Sequence, residues 1–68
     1  MPITVTLNGE SRSFDASLSL QDWLDQLSID SRYLAVELNG QIIPKSTYAS
    51  VKVDDGDVVE LVRFVGGG

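Results

Sequence analysis

At 68 residues, 43% of them apolar, the chain has room for one small hydrophobic core and no second one, and it lies well above the composition of disordered segments. Cysteine and histidine are both absent. That excludes a disulfide framework, a thiolate or imidazole metal site, and both the commonest general base and the strongest nucleophile.

Ten acidic residues against five basic ones give a net charge of −5, so phosphate backbones and anionic membrane surfaces would be repelled, whereas a basic protein partner is compatible. Met1-Pro2-Ile3-Thr4 does not read as the start of a signal peptide, and no apolar run approaches the roughly 20 residues that span a bilayer. The expected compartment is the cytoplasm.

Ile3, Val5 and Leu7 alternate with Thr4 and Thr6, the pattern of a half-buried strand. Asn8-Gly9 follows; both residues tolerate positive φ, so a type I′ hairpin turn is predicted, with Glu10 to Phe14 as the return strand. Leu20, Trp23, Leu24 and Leu27 then fall on one helical stripe. Ser19 can cap that helix, with Asp22 placing negative charge at the positive end of its dipole; Ser17 is an alternative cap. Ser28 to Tyr33 reads as a polar connection.

Leu34, Val36 and Leu38 alternate with Ala35 and Glu37 in a third strand. Asn39-Gly40 turns it, and Gln41-Ile42-Ile43 pairs back briefly until Pro44 ends the ladder. Lys45 to Ser50 reads as irregular or as a short helical turn pinned by Tyr48 and Val51. Asp54-Asp55-Gly56-Asp57 is a tight turn, and Val58 to Phe64 is the last strand. Being apolar on both parities except at Glu60 and Arg63, this strand is expected at the centre of the sheet, parallel to the first. The fold class is therefore α+β: a β-grasp, ubiquitin-like domain over residues 1–64, with about five strands gripping one helix. Residues 65–68 form a flexible tail of little but glycine.

Several groups of residues could carry chemistry. The acids of Asp54 to Asp57 are consecutive rather than alternating over a twelve-residue loop, which favours a solvated turn over a calcium site. Trp23 and its leucines are needed for the core of so small a domain, and Lys45 and Lys52 read as surface lysines. Val58, Val62 and Phe64 are different: with Val59 and Leu61 facing the helix, they face the other side of the sheet. Together with Val65 they are read as a partner-docking surface; the alternative is that residues 44–53 fold over that face.

Gly66-Gly67-Gly68 packs no side chain and is expensive to order, so its use lies where a backbone must be thin. Extended at about 3.3–3.6 Å per residue, Val65 to Gly68 would reach roughly 13–14 Å from the domain. Gly66 and Gly67 are then a stem for insertion into a partner's deep site, and the α-carboxylate of Gly68 is the reactive group. A frayed terminus or a cloning scar is the plainer reading of the same residues.

Ala35-Val36-Glu37-Leu38-Asn39-Gly40, then Ile42, Pro44 and Ser46, then Asp55-Gly56-Asp57, Val59-Glu60, Val62 and Val65-Gly66-Gly67-Gly68 resemble the ThiS family of thiamine-biosynthesis sulfur carriers. The similarity is close over residues 34–68 and mainly one of pattern before that. The family requires two terminal glycines, and here there are three, which concerns the seating of Gly66 rather than the terminal chemistry.

The resemblance implies that a ThiF-like adenylyltransferase uses ATP and Mg2+ to adenylate Gly68. A sulfur donor then converts it to a thiocarboxylate, and a ThiG-like thiazole synthase takes the sulfur. It further implies a carrier with no bound cofactor that is not itself an enzyme, with Phe64 and Val65 anchoring the strand end against the partner. The small subunit of molybdopterin synthase (MoaD-like) and a ubiquitin-like protein modifier would share the fold and the activation. A plain interaction module, whose glycines do nothing, would share neither chemistry.

Overall fold

A computed structural model of the protein describes residues 1–29 and 34–63. Strand β1 (Ile3–Leu7) runs antiparallel to β2 (Glu10–Phe14) across the Asn8-Gly9 turn, where φ is 48° and 84° as a type I′ turn requires. Two short strands follow outside this hairpin, β3 (Leu18–Ser19) and β6 (Lys52–Val53), paired antiparallel to each other. Between them in sequence lie helix α1 (Leu20–Gln26), β4 (Leu34–Leu38), β5 (Gln41–Ile42) and a 3-10 turn (Lys45–Thr47). The last strand, β7 (Val58–Arg63), completes a mixed sheet in the order β2-β1-β7-β4-β5.

The helix is set by its ends. Ser19, not Ser17, is the N-cap, and its Oγ accepts the Asp22 N–H at 3.1 Å. At the other end Ser28 takes φ 57°; the Ser28 N–H donates to Asp25 C=O at 3.0 Å and the Ile29 N–H to Leu24 C=O at 3.1 Å. Those two bonds are a Schellman motif, with serine where glycine is usual. Its apolar C″ residue, Ile29, packs on the core. The predicted polar connection therefore begins as a helix cap with a core contact, and Asp30 to Tyr33 lie outside the described residues.

β7 is central, as its composition predicts, parallel to β1 and antiparallel to β4. One sheet face closes over α1: Ile3, Val5 and Leu7 of β1, Val36 of β4 and Val59 of β7 bury against Leu20, Trp23 and Leu24. Each such burial contributes about 1.5–3 kcal/mol relative to exposure. Phe14 stands against the indole of Trp23, ring centroids 5.7 Å apart and tilted by 54°. Trp23 is completely buried, and its Nε1 has no hydrogen-bond partner among the described residues.

Residues 44–53 decide the state of the other face. Tyr48 and Val53 are buried in the same core, and Val51 packs against it. The Leu20 N–H donates to Val51 C=O at 2.7 Å and the Gln21 N–H to Tyr48 C=O at 3.0 Å. This segment thus closes the helix N-terminus and lies on the helix side of the sheet. The alternative that it folds over the opposite face is overturned, because Tyr48 and Val53 fill the space between helix and sheet instead. The outer face of β7 is left uncovered by that segment: Val58 and Val62 are 44% and 48% exposed.

Candidate functional site

The site is the outer face and the exit of β7, so what holds that strand matters first. Upstream, the acidic turn turns its carboxylates on the backbone. Asp57 Oδ2 accepts the Asp54 N–H at 2.7 Å, Asp54 Oδ1 the Asp55 N–H at 2.8 Å, and Asp55 Oδ1 the Thr4 N–H of β1 at 2.8 Å. The acids serve as turn acceptors, and no group of side chains among the described residues could hold a metal ion.

Two asparagines then clamp the strand from either side. Both hold positive φ at the first position of their turns, 48° at Asn8 and 51° at Asn39. The Asn39 Oδ1 accepts the Val58 N–H at 2.9 Å while its Nδ2 donates to Asp57 Oδ1 at 3.0 Å. On the β1 side the Asn8 N–H donates to Val59 C=O at 3.0 Å, and Asn8 Oδ1 accepts the Leu61 N–H at 2.8 Å. The Asn8 side chain thus continues the ladder after β1 has turned away. Sequence reading took these residues only as turn formers; their reach across to β7 has no local signature.

The register defines the outer face. Val62 lies opposite Ala35, Glu60 opposite Glu37, and Glu37 in turn opposite Ile42, while Val58 lies beside Thr6. Cross-strand partners share a face, so Val58, Glu60, Val62, Ala35, Glu37 and Ile42 form one surface on the side away from α1. Ile42 is 71% exposed. The structure therefore brings Val58 and Val62 together as predicted and adds Ile42, Glu37 and Glu60. Period-two alternation in Leu34–Leu38 carried a signal for Glu37; Ile42 needed the hairpin register. Phe64, Val65, Gly66, Gly67 and Gly68 lie outside the described residues.

No lysine or arginine occupies an outer-face position of the described strands of this sheet, because Arg12 pairs with inward Val5 and Arg63 with inward Leu34. The surface is thus apolar at its ends and doubly acidic at its centre. Among the described residues no helix is long and apolar enough to cross a membrane.

The model of the ThiS family matches residues 5–68, which includes the three glycines. A thiazole synthase of Paramagnetospirillum magneticum is 52% identical over 64 residues, covering 94% of this chain and 20% of that protein. The chain spans about a fifth of the length of such a relative. The sulfur carrier protein ThiS of Bacillus subtilis is 42% identical over 50 residues, 74% of this chain and 76% of the carrier. Among solved structures, the thiamine biosynthesis protein (ThiS) of Geobacter metallireducens superposes with a TM-score of 0.87 at 35% identity, covering 97% of this chain and 100% of that one.

Proposed function

Since this chain belongs to the ThiS family of thiamine-biosynthesis sulfur carriers, we propose that it carries sulfur on the α-carbonyl of Gly68. The observation that supports this most is the family match running through the glycines, onto a chain with no cysteine or histidine to hold sulfur elsewhere. A carboxylate is a poor acceptor for a sulfur nucleophile. Attack of the Gly68 carboxylate on the α-phosphorus of ATP, with Mg2+ on the phosphates, expels pyrophosphate and leaves an acyl-adenylate. The terminal sulfur of a donor persulfide then displaces AMP, and thiol reduction of the resulting S–S bond releases the thiocarboxylate.

In this reading the chain is a co-substrate rather than an enzyme. An adenylyltransferase binds the ATP and Mg2+, a separate protein donates the sulfur, and the cycle runs in the cytoplasm. Gly66 and Gly67 keep the stem free of side chains, and Phe64 and Val65 grip the partner at its mouth. Docking onto a thiazole synthase is supported by the relatives of that name that contain a region similar to this chain.

The test is direct. With a ThiF-like adenylyltransferase, ATP and Mg2+, mass spectrometry should show the adenylate on the full chain and none on a chain lacking Gly66, Gly67 and Gly68, while circular dichroism of the two is the same. Adenylation of the shortened chain would sink the reading. Protein from cells should carry a fraction with one oxygen replaced by sulfur, whereas high-mass conjugates alone would indicate a modifier. Growth of a deletion strain restored by thiazole, and not by molybdenum cofactor, separates this carrier from its molybdopterin counterpart.

A further inference from the structure

We infer that the Asn8-Gly9 turn is a site of spontaneous deamidation, and that the isoaspartate formed there releases the end of β7 from which the tail leaves. The inference stands independently of the carrier reading. The step consumes only water. The backbone nitrogen of Gly9 attacks Cγ of Asn8; the new C–N bond replaces the Cγ–Nδ2 bond, the Gly9 N–H proton leaves with Nδ2 as ammonia, and a five-membered imide remains. Water then opens the imide at one of its two carbonyls. Opening at Cγ gives aspartate; opening at the main-chain carbonyl gives isoaspartate, in which the chain runs through Cβ and Cγ. Glycine suits the attack because no Cβ obstructs its nitrogen. Asn8 and Gly9 are both exposed, and nothing lies within 4 Å of the place a Cβ on Gly9 would take.

Asn39-Gly40 has the same local sequence, Leu-Asn-Gly at 38–40 as at 7–9, and only the structure separates the two. Both asparagines hold left-handed φ, both backbone N–H groups donate to β7, and each turn is closed by one strand pair, Leu7 with Glu10 and Leu38 with Gln41. At either site the side-chain amide must turn before Cγ can meet the next nitrogen. Asn8 is held by one bond, from the Leu61 N–H to its Oδ1 at 2.8 Å, and among the described residues nothing accepts from its Nδ2. Asn39 is held at both ends, its Oδ1 by the Val58 N–H at 2.9 Å and its Nδ2 on the Asp57 carboxylate at 3.0 Å. A hydrogen bond to an ionised group is about twice as strong as a neutral one. Asn39 is therefore guarded and Asn8 is not. Fraying of the two-residue β5 does not lift the guard, because these Asn39 bonds run to β7 and the acidic turn.

The two products differ in what they do to β7. Aspartate keeps an acceptor where Oδ1 stands. Isoaspartate adds a methylene to the backbone of a two-residue turn and carries its free carboxylate directly on Cα, one carbon short of the Leu61 N–H. Pairing of β1 with β7 ends at Leu7 with Val59, so on that side the Asn8 side chain is what holds the strand beyond Val59. Its loss frees the last residues of β7.

The full chain is incubated at mildly alkaline pH, folded and in parallel in urea. Trypsin places the two sites on separate peptides, 1–12 and 34–45, in which mass spectrometry follows conversion and electron-transfer fragmentation tells isoaspartate from aspartate. In urea the two sites should convert at similar rates; in the folded chain Asn8 should outpace Asn39 about fivefold or more, the worth of one further bond. Asp57→Asn, which removes the charge and one of two acceptor oxygens, should speed Asn39 and leave Asn8 unchanged. The isoaspartate form, isolated by ion exchange, should lose amide protection at Leu61 and melt at least as low as Asn8→Gly, whereas Asn8→Asp keeps both properties.

Asn39 converting as fast as Asn8 in the folded chain overturns the assignment, as does a folded chain in which Asn8 does not convert at all. Asp57→Asn that leaves Asn39 unmoved, or that speeds both sites together, overturns the guard on which the choice of Asn8 rests. An isoaspartate form with Leu61 still protected and the melting temperature unchanged overturns the release of β7. None of these outcomes bears on adenylation at Gly68, so the carrier reading stands or falls separately.

Discussion

Asn8 offers a sharp test of how β7 is held, because one side chain does two separable things. Its Oδ1 accepts the Leu61 N–H at 2.8 Å, and its backbone sits at φ 48°. Asn8→Gly removes the acceptor but keeps the left-handed backbone free of strain, so the loss is one hydrogen bond, about 0.5–1.5 kcal/mol. The lower half of that range is expected, because the site is exposed and water can replace the oxygen. Asn8→Ala loses the same bond and keeps a Cβ in the left-handed region without the short polar side chain that lets asparagine tolerate it, so it should lie about 1–2 kcal/mol below the glycine variant. Asn8→Asp keeps both the acceptor and the tolerance of positive φ, and should stay close to wild type.

A domain of 68 residues at 0.05–0.15 kcal/mol each has on the order of 3–10 kcal/mol in all, so these are measurable fractions. At about 4–8 °C per kcal/mol, the glycine variant should melt about 2–8 °C lower and the alanine variant lower again. Thermal melts should therefore rank the three variants N8D, then N8G, then N8A, from most to least stable. Amide exchange locates the effect: the Leu61 N–H should lose protection in Asn8→Gly, while buried Val59 keeps most of its own. An unchanged Leu61 exchange rate, or an alanine variant as stable as the glycine one, would refute the clamp.

Three further outcomes follow from the same geometry. Ser19→Ala should cost about 0.5–2 kcal/mol by urea denaturation and Ser17→Ala almost nothing, since only Ser19 bonds the helix N-terminus. Ser28→Gly should stabilise by about 0.5–1 kcal/mol, because glycine takes the left-handed position of the Schellman motif without strain; a lower melting temperature would count against that cap. Burial holds the Tyr48 phenol above its ordinary value of 10.0, so at higher pH the unfolded chain gives up a proton that the folded one still keeps. Tyr48 thus contributes its full stability below pH 10.0 and loses it as pH rises through the folded value; the alkaline fall in stability should be steeper in wild type than in Tyr48→Phe.

Most elements were legible because each rests on a pattern shorter than ten residues. Alternation in Ile3–Leu7 and Leu34–Leu38, the two Asn-Gly turns and the leucine stripe around Trp23 all encode their own conformation. What was not legible depends on partners distant in sequence. Val51 to Val53 offered too short a run to be read as a strand, and β6 exists because β3 lies beside it and Val53 fills the core. Ile29 was passed over in a polar stretch, and the Schellman turn swings it back onto the core.

The candidate site divides along the same line. Composition alone removed cysteine and histidine chemistry, turned attention to Gly68, and by parity put Val58 and Val62 on one face. Tertiary structure decided that this face stays open on the side away from α1, because Tyr48 and Val53 draw residues 44–53 to the helix side. It also decided that Glu37 stands against Glu60, and that Asn8 and Asn39 reach β7 across 53 and 19 residues of chain. Periodicity tells a strand which of its side chains point together. It carries no information on which strand comes alongside or in what register, and those are settled only when the core packs.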